Sequence, residues 1–392
     1  MKAVICKNAE LEFVDRPEPE PGRGQVVLNV LRCGICGSDL HALKHSDHWH
    51  DLMKKTGYSG FMTSKDEVVL GHEFCGEVLE YGPACAKRVA PGERVCAVPL
   101  RRQGDHIDFV GLSGNSPGGY AERVVVEESM ILPVPNGLST DLATLTEPLS
   151  VAWHAIHHGE VKHKDVAFVI GCGPVGLAVI SLLKAHDVKA VIASDFSPGR
   201  RKLAQECGAD VVIDPATTSP FASWADYGFI GELPTALELA VSTIEKLEKL
   251  PVPWWHTWRA AEGFGLGPKK PIIFECVGVP GVLQQLIEGA PLFSRIVVVG
   301  VCMQTDRIEP AQAINKEIEL RFVFGYTPLE FRDTLKMIAD GKVNCGPMLT
   351  GVVGLEGVAN AFTALGDPER HAKIQIDPRS PAKQPTAATA KG

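Results

Sequence analysis

The first third of the chain alternates short apolar runs with breaks that contain glycine and proline. The runs are rich in valine and aromatic residues, as β-strands are, and the breaks come at intervals expected of turns. The runs read AVIC, LEFV, QVVLNVLRC, EFCGEVLEYG, ERVCAV and YAERVVV. This pattern predicts a barrel-like or irregular β domain over residues 1–150.

From about Leu149 the pattern changes to an apolar strand, a glycine turn, an apolar helix and a second strand. The segment VAFVIGCGPVGLAVISLLKAHDVKAVIASD contains this βαβ unit. Further strands follow helical segments in ADVVID, KPIIFECVG, SRIVVVGV and IELRFVFGY. The predicted fold class is therefore α/β, with a doubly wound parallel sheet of the Rossmann type over residues 151–326.

Two segments do not belong to this repeating pattern. An insertion at about residues 216–270 has apolar residues at helical spacing and the tryptophan-rich run PVPWWHTW, and we expect it to form its own helices. Its tryptophans are interpreted as anchors on the sheet domain, with a pocket lining or a subunit contact as alternatives. Residues 379–392 lack apolar content and are predicted to form a disordered tail.

The segment GCGPVG matches the dinucleotide-binding pattern G-x-G-x-x-G between a strand and a helix. In that pattern Gly171 makes the tight turn, Gly173 lets the backbone approach a pyrophosphate, and Gly176 lets the helix pack closely on the strand. Asp195 ends the next strand nineteen residues after Gly176. The residues assigned to the cofactor are Gly171, Gly173, Pro174, Val175, Gly176, Asp195 and Arg200.

The residue that ends the second strand bears on the choice of cofactor. A carboxylate at Asp195 accepts hydrogen bonds from ribose hydroxyls and repels a 2′-phosphate, which favours NAD over NADP. Arg200 and Arg201 are the counter-evidence, because arginines just beyond the strand can pair with a 2′-phosphate.

Composition and charge restrict the partners. Of 392 residues, 45% are apolar and 22% are charged, and no segment reaches the roughly eighteen uncharged apolar residues of a membrane span. A net charge of -8 disfavours nucleic acid as a partner and leaves small molecules. Eleven scattered cysteines and a start without a secretion signal indicate reduced thiols and a cytoplasmic protein.

The stretch CGICGSDLHALKHSDHWH, residues 33–50, concentrates cysteine, histidine and aspartate. A redox pair of Cys33 and Cys36 is the weaker interpretation, because such a dithiol belongs at a helix N-terminus near a βαβ unit, whereas these residues precede a predicted polar loop. Cys36 with His72 and Glu147 instead offers the thiolate, imidazole and carboxylate that a catalytic zinc takes.

Six motifs resemble, in the same order, those of the zinc-dependent medium-chain alcohol dehydrogenases, most closely the polyol, butanediol and threonine dehydrogenase branch. They are GICGSDLH, GHEFCGEV, PGERV, GGYAE, EPLSVAWHA and GCGPVG, and the similarity covers residues 1–378 apart from two stretches. The resemblance implies a GroES-like catalytic domain of residues 1–150 and 327–378 around the Rossmann domain. It also implies homodimers or homotetramers that pair the edge strands of the Rossmann sheets.

The resemblance further implies which side chains bind zinc. Cys36 and His72 match two protein ligands, and Glu147 or Glu73 matches the third. Zn²⁺ with one thiolate and one carboxylate is formally neutral, so a second carboxylate would make the site anionic and oppose ionisation of a bound alcohol. We therefore expect one glutamate in the shell at a time, Glu147 first, with Glu73 replacing it or acting on bound water.

Three residues close to the first ligand match the family's other active-site positions. Ser38 and His41 resemble the proton relay, and Asp39 resembles the carboxylate that orients His72.

Two stretches depart from the family. The region that in many relatives carries four cysteines for a structural zinc here contains only Cys96, so one catalytic zinc and no structural zinc is expected. Residues 42–69 lie where the family's substrate cleft opens, and His45, His48 and His50 within them are interpreted as part of a solvated or pocket-lining loop rather than a second metal patch. The same stretch holds apolar side chains that either line a pocket or pack in the core, namely Trp49, Met53, Tyr58, Phe61 and Met62.

The expected activity is hydride transfer between a secondary alcohol or diol, or the corresponding ketone, and NAD. The alternatives are a zinc-independent NAD(P)H reductase of activated double bonds on the same fold, an aldehyde-oxidising or dismutating enzyme with tightly held NAD, and a non-catalytic NAD-binding protein. Stoichiometric zinc, cofactor retained through purification, and a panel of alcohols separate these alternatives from the main hypothesis.

Overall fold

The computed structural model describes residues 1–135 and 137–388. The strands are β1 (Lys2–Lys7), β2 (Glu10–Asp15), β3 (Gln25–Gly34), β4 (Val68–Val69), β5 (Glu73–Tyr81), β6 (Arg94–Ala97), β7 (Leu100–Gln103), β8 (His106–Phe109), β9 (Arg123–Glu127), β10 (Ile131–Pro133), β11 (Val166–Ile170), β12 (Ala190–Ser194), β13 (Val211–Ile213), β14 (Ile272–Glu275), β15 (Arg295–Val298), β16 (Glu319–Phe322), β17 (Leu349–Val353) and β18 (Lys373–Ile376). The helices are α1 (Gly37–Lys55), α2 (Thr140–Ala143), α3 (Thr146–His158), α4 (Pro174–Ala185), α5 (Pro198–Glu206), α6 (Leu233–Leu247), α7 (Trp254–Gly263), α8 (Val282–Gly289), α9 (Pro310–Asn315), α10 (Pro328–Ala339) and α11 (Val358–Ala364).

The first domain is organised around β3, a ten-residue strand whose side chains are almost all buried. One sheet has the order β10-β6-β5-β3-β18-β17, with β9 also paired to β3, and a smaller sheet has the order β2-β1-β4. β7 and β8 form a separate hairpin. Apolar side chains between the two main sheets, including Leu28, Phe74 and Val126, form the core of this domain.

The second domain is a parallel sheet with the order β13-β12-β11-β14-β15-β16. Numbered within the domain, this order is 3-2-1-4-5-6, the doubly wound arrangement that binds dinucleotides at the reversal of strand order. Its central strands β11, β12 and β14 are buried along almost their whole length, because helices cover both faces of the sheet. The predicted fold class is confirmed.

The C-terminal segment returns to the first domain. β18 pairs with β3 and β17 pairs with β18, so both strands extend the catalytic sheet. The proposed boundary at residue 150 falls inside α3, which packs against α4 of the parallel sheet and against α10.

A buried carboxylate ties α3 to α10. Glu330 accepts a hydrogen bond from His154 Nδ1 at 2.9 Å and another from His157 Nδ1 at 2.8 Å. It also accepts one from the backbone N–H of Thr327 as part of a capping box at the start of α10. Burial opposes ionisation of Glu330, but these donors outweigh it and hold its pKa at about 2.

The insertion forms the helices α6 and α7, and every residue of both helices is at least partly exposed. Trp254 packs against Trp255 and Trp258, with ring centroids 5.9 and 6.2 Å apart, in a groove that α6 also lines. The interpretation of these tryptophans as anchors is wrong, because the side chains that fix the insertion on the sheet are the buried Phe221 and Phe229. Within the described part of the chain, no helix combines the length and apolarity needed to cross a bilayer.

The described part of the predicted tail, residues 379–388, is ordered. Thr386 and Val352 exchange two backbone hydrogen bonds of 2.9 Å, so the tail pairs with the edge of β17. Lys383 forms an ion pair with Glu356 at 2.6 Å. These contacts rely mainly on backbone groups, which explains why a segment with few apolar side chains docks. The rest of the predicted tail, residues 389–392, lies outside the described residues.

Candidate metal and nucleotide site

The pairing of β3 with β5 brings together three side chains of types that can bind a metal ion. Gly34 at the end of β3 lies opposite Glu73 at the start of β5, so the chain that continues to Cys36 passes beside His72. One ligand atom from each of Cys36, His72 and Glu73 lies within 4.8 Å of the others. Among the residues that the structure describes, this is the only such group found, and its thiol, imidazole and carboxylate are ligand types of a catalytic zinc.

The second nitrogen of His72 faces a buried carboxylate. Asp39 is fully buried, and its Oδ1 lies 3.3 Å from His72 Nδ1. Its Oδ2 accepts hydrogen bonds from Tyr120 Oη at 2.6 Å and from the Cys36 backbone N–H at 2.9 Å. Burial disfavours the imidazolium, but Asp39 outweighs it and raises the pKa of His72. A carboxylate behind a histidine fixes the orientation of the ring, which suits a metal ligand.

The carboxylate of this group, Glu73, forms an ion pair with a buried lysine that the sequence did not reveal. Lys373 Nζ lies 2.6 and 2.7 Å from the two carboxylate oxygens of Glu73, and 3.1 Å from the carbonyl oxygen of Ile35. Burial opposes the charge on Lys373, but Glu73 outweighs it and raises the pKa of the lysine. The only signal in the sequence is a cationic residue that begins the apolar strand KIQI.

Glu147 lies in the first turn of α3, buried but outside the group of three. Burial raises the pKa of Glu147 to about 7, against the opposing effect of His72. The charges of His72 and Glu73 also act on this carboxyl group. Whether Glu147 or Glu73 is the third ligand therefore stays a prediction.

The glycine segment lies at the centre of the parallel sheet. Gly171 follows β11 with a φ of +91°, and Gly173 is the N-cap of α4. A Cβ atom at Gly176 would lie 1.9 Å from the carbonyl oxygen of Gly171, so only glycine allows this turn. Asp195 accepts hydrogen bonds of 2.8 Å from the backbone N–H groups of Cys172 and of Ser197. The carboxylate is thus fixed at the end of β12, next to the N-terminus of α4, where dinucleotides bind.

The two arginines after Asp195 have different surroundings. Arg201 donates to the carbonyl oxygens of Asp195 and Phe196 and pairs with Asp214 at 3.1 Å. Arg200 Nη1 lies 3.9 Å from the Asp195 carboxylate, and its buried Nε has no hydrogen-bond partner among the described residues. Of the two, Arg200 is the one that can turn to a ligand at Asp195.

Comparison with known proteins decides the family. The model of the alcohol dehydrogenase GroES-like domain matches residues 22–136, and that of the zinc-binding dehydrogenases matches residues 174–340. The chain is 29% identical to (R,R)-butanediol dehydrogenase of Bacillus subtilis over 95% of this chain and 97% of the relative. The chain belongs to the zinc-dependent medium-chain alcohol dehydrogenase family.

Other members are similar over nearly the whole chain. Human sorbitol dehydrogenase is 27% identical over 92% of this chain and 91% of its own. The crystal structure of 2R,3R-butanediol dehydrogenase from Bacillus subtilis superposes with a TM-score of 0.72, at 28% identity, over 96% of this chain and 99% of that chain. This chain is therefore a dehydrogenase with the two-domain architecture of that family.

The relay positions of this alcohol dehydrogenase family fall on α1. Ser38 Oγ lies 3.1 Å from His72 Nε2. His41 is one turn further along the same face of α1, and burial, with smaller contributions from His45 and Lys44, lowers its pKa. A neutral imidazole is able to accept a proton, which agrees with the role that the resemblance assigns.

The interpretation of residues 42–55 as a polar loop is wrong, because α1 continues through them to Lys55 with a kink at His45. His50 Nδ1 donates to the carbonyl oxygen of Phe61 at 2.7 Å, so this histidine fixes the chain that follows. Phe61 is buried, with Trp49 packed at 4.8 Å from ring to ring. These two aromatic residues therefore belong to the packing of the domain.

Two cysteines that the sequence singled out are packed in the interior. Cys33 is fully buried, and any side chain at Gly71 or Gly119 would collide with its sulfur. Cys96, in the region where relatives bind a structural zinc, donates to the Ala143 carbonyl oxygen at 3.2 Å. The β7–β8 hairpin follows Cys96 directly in the chain.

Proposed function

We propose that this enzyme transfers hydride between a vicinal diol or related secondary alcohol and NAD, and that it also runs in the ketone-reducing direction. The observation that carries this proposal is the group of Cys36, His72 and Glu73 ligand atoms within 4.8 Å, beside Ser38. Relatives named butanediol and sorbitol dehydrogenases support the substrate class, because both named compounds carry hydroxyl groups on adjacent carbons. The zinc-type relatives do not favour the alternative of a double-bond reductase.

NAD is the proposed cofactor. Asp195 carries a carboxylate whose two oxygens are held by backbone N–H groups, so it cannot easily turn away from a 2′-phosphate. Arg200 is the side chain that could pair with the 2′-phosphate of NADP, and we expect NADP to bind more weakly than NAD. NAD, when bound, accepts the hydride from the substrate carbon.

One zinc per chain is proposed, held by Cys36, His72 and a glutamate, with Glu147 as first choice and Glu73 as the alternative. Bound zinc acts as a Lewis acid on the substrate oxygen. The donor set fits such an ion, since the three side-chain types match and Asp39 holds the histidine from behind.

Side chains of the protein are proposed to carry away the proton of the substrate hydroxyl. Ser38 Oγ, 3.1 Å from His72 Nε2, would accept the proton of the substrate hydroxyl and give up its own hydroxyl proton in the same relay. His41, half-buried on the same face of α1, would accept the relayed proton and release it to solvent. The Ser38 hydroxyl and the His41 imidazole are both proposed to be neutral before the reaction. The resting enzyme therefore carries no buried charge on either relay group.

We also infer that the protein is a homodimer or homotetramer. β16 is an edge strand of the parallel sheet, and Phe322 at its end exposes 69% of its surface. Light scattering of the purified protein tests this, and a monomer at micromolar concentration contradicts it.

The experiment for the activity is a spectrophotometric panel of diols, secondary alcohols and ketones with NAD and with NADP. We expect NADH formation from a vicinal diol, and loss of turnover in Cys36→Ser or after chelation, while NADH still binds. Full activity in Cys36→Ser would contradict the proposed metal chemistry. Turnover with activated double bonds alone would favour the double-bond reductase.

A further inference from the structure

A glutamate from the C-terminal segment lies against the first turn of α5. Glu369 Oε2 accepts a hydrogen bond of 2.9 Å from the backbone N–H of Gly199. Gly199 is the second residue of α5, a nine-residue helix that begins at Pro198. Glu369 belongs to the loop between α11 and β18, 170 residues further along the chain. Its carboxylate therefore joins the loop before β18 to a helix of the parallel-sheet domain.

Backbone contacts hold Glu369 at this place. A Cβ atom at Gly199 would lie 2.9 Å from the carbonyl oxygen of Glu369 and 3.1 Å from its Cα, so the loop packs directly on the glycine. Ser197 Oγ donates to the carbonyl oxygen of Pro368 at 3.3 Å. Within the loop, the Glu369 backbone N–H donates to the Asp367 carboxylate at 3.0 Å. The side chain of Glu369 thus starts from a backbone that already lies next to α5.

The same end of α5 borders the proposed position of the adenosine ribose. In this fold the carboxylate that ends the second strand binds the ribose 2′-hydroxyl, and an arginine nearby accommodates the 2′-phosphate of NADP. Asp195 accepts a hydrogen bond of 2.8 Å from the backbone N–H of Ser197, the N-cap of α5. Arg200, in the first turn of α5, has its Nη1 3.9 Å from the Asp195 carboxylate. A 2′-phosphate would therefore have to fit beside the first turn of α5.

The backbone N–H groups of this first turn already have partners within the protein. Pro198 has no N–H, and the N–H of Gly199 donates to Glu369. The N–H of Arg200 donates to the hydroxyl of Ser197 at 3.1 Å. Free N–H groups at the start of a helix bind phosphate readily, because the helix dipole adds to their effect. Here the carboxylate of Glu369 takes the place that such an anion would use.

The charges around this end of α5 also disfavour a phosphate. Of the two arginines that follow Asp195, Arg201 is paired with Asp214 at 3.1 Å, which leaves Arg200 as the one that can pair with a 2′-phosphate. The carboxylates of Asp195 and Glu369 would both repel that phosphate.

On the basis of the proposed NAD-dependent activity, we propose that Glu369 is a specificity-determining residue that caps α5 with a carboxylate and thereby disfavours the 2′-phosphate of NADP. To bind, NADP would have to displace Glu369 from the Gly199 N–H or hold its phosphate close to this carboxylate. Both routes cost affinity. NAD has no 2′-phosphate and loses nothing.

The test replaces Glu369 with glutamine, which keeps an oxygen that accepts the hydrogen bond from Gly199 and removes the charge. The Glu369 side chain is exposed, so the variant is expected to fold. Fluorescence titration of the full chain gives the dissociation constants of NADPH and NADH. We expect NADPH to bind at least about fivefold more tightly than to wild type, because a phosphate of about −1.5 to −2 charge no longer meets this carboxylate. NADH should bind within about twofold of wild type, since it carries no charge at the 2′ position.

The matched control is Glu206→Gln, which removes a carboxylate from the other end of the same helix. Glu206 is the last residue of α5 and lies 3.9 Å from Lys202. We expect this variant to keep the wild-type ratio of NADPH affinity to NADH affinity. An equal rise of the ratio in both variants would overturn the inference, and so would a wild-type ratio in Glu369→Gln.

Ionic strength separates the effect of charge from a change of structure. In about 1 M salt the Debye length is about 3 Å, so exposed charges are largely screened. The gain in NADPH affinity of Glu369→Gln should therefore be large in dilute buffer and mostly lost in 1 M salt. A gain of the same size in both buffers would contradict the role of the carboxylate charge.

A double variant separates Glu369 from Asp195. If the two carboxylates act independently, their effects multiply, and Asp195→Ser/Glu369→Gln should favour NADPH more than Asp195→Ser does. A double variant equal to Asp195→Ser would count against Glu369. A wild-type protein that binds NADPH more tightly than NADH would refute the proposed cofactor. The change of the ratio in Glu369→Gln would still decide on Glu369, because none of these titrations uses alcohol turnover.

Discussion

Two glycines of the nucleotide segment are expected to respond to alanine in different ways. At Gly176 the added Cβ would lie 1.9 Å from the Gly171 carbonyl oxygen, a backbone atom that cannot yield without moving the turn between β11 and α4. Overpacking of this kind costs about 1–3 kcal/mol. At about 2–4 °C per kcal/mol for a domain of this size, Gly176→Ala should lower the melting temperature by roughly 2–12 °C.

Gly173 is the matched control. A Cβ there meets no atom of the described residues within 4 Å, and its φ of -70° and ψ of -175° suit alanine. Alanine lowers the entropy of the unfolded chain but is a poorer N-cap than glycine, so the stability of Gly173→Ala should change by about 1 kcal/mol or less. The added methyl group would still stand where the cofactor pyrophosphate approaches, and NADH affinity should fall at least about tenfold, or 1.4 kcal/mol.

Calorimetry of the cofactor-free protein and a fluorescence titration with NADH separate the two effects. Gly176→Ala should show both a lower melting temperature and weaker NADH binding, and Gly173→Ala should show the weaker binding alone. An unchanged melting temperature in Gly176→Ala would refute the packing argument. Wild-type NADH affinity in Gly173→Ala would refute the placement of the pyrophosphate at the start of α4.

Three further predictions concern single hydrogen-bonding groups. Tyr120→Phe removes the 2.6 Å bond to Asp39 and should cost about 1.5–3 kcal/mol of unfolding free energy, measured with denaturant; a loss below about 0.5 kcal/mol would contradict it. Ionised Glu330 has a folded pKa of about 2 against an ordinary 4.5, so its stabilising effect is present above pH 4.5 and is lost as the pH falls toward 2. Glu330→Gln should therefore lower the melting temperature at neutral pH and progressively less in acid, and an effect independent of pH would argue against the ionised carboxylate as the stabilising group. Asp195→Ser should raise the ratio of kcat/KM with NADP to that with NAD at least about tenfold, and an unchanged ratio would count against its role in cofactor choice.

The features that the sequence predicts well are those with a local physical signature. The βαβ unit around residues 166–195 combines buried strands with a glycine turn. Both features can be recognised in a short stretch of the sequence. Cys36, His72 and Glu147 were predicted because a few residue types suit zinc, and the structure groups the first two with Glu73, which the sequence offered only as the alternative. The parallel sheet and the glycine turn of the structure agree with this reading.

The features that the sequence hides depend on contacts without a local pattern. The buried face of α1 carries Asp39, Ala42 and Ser46, so its helical period is not a period of apolar residues. Its N-cap is Cys36, with Asp39 completing the capping box, in place of the usual serine or threonine with glutamate. For these reasons the sequence predicted a polar loop over residues 42–55, where the structure has the helix α1.

The position of Lys373 shows why the site cannot be assembled from its motifs alone. The lysine is 300 residues away from Glu73 in sequence and reaches it only because β3 pairs with β5 on one side and with β18 on the other. The pairing of β3 with β5 brings Glu73 beside Cys36 and His72, and the pairing with β18 brings a cation beside Glu73. The last strand of this sheet therefore contributes a charged side chain to the candidate metal site, and the ion pair of Lys373 with Glu73 depends on the pairing of β18 with β3.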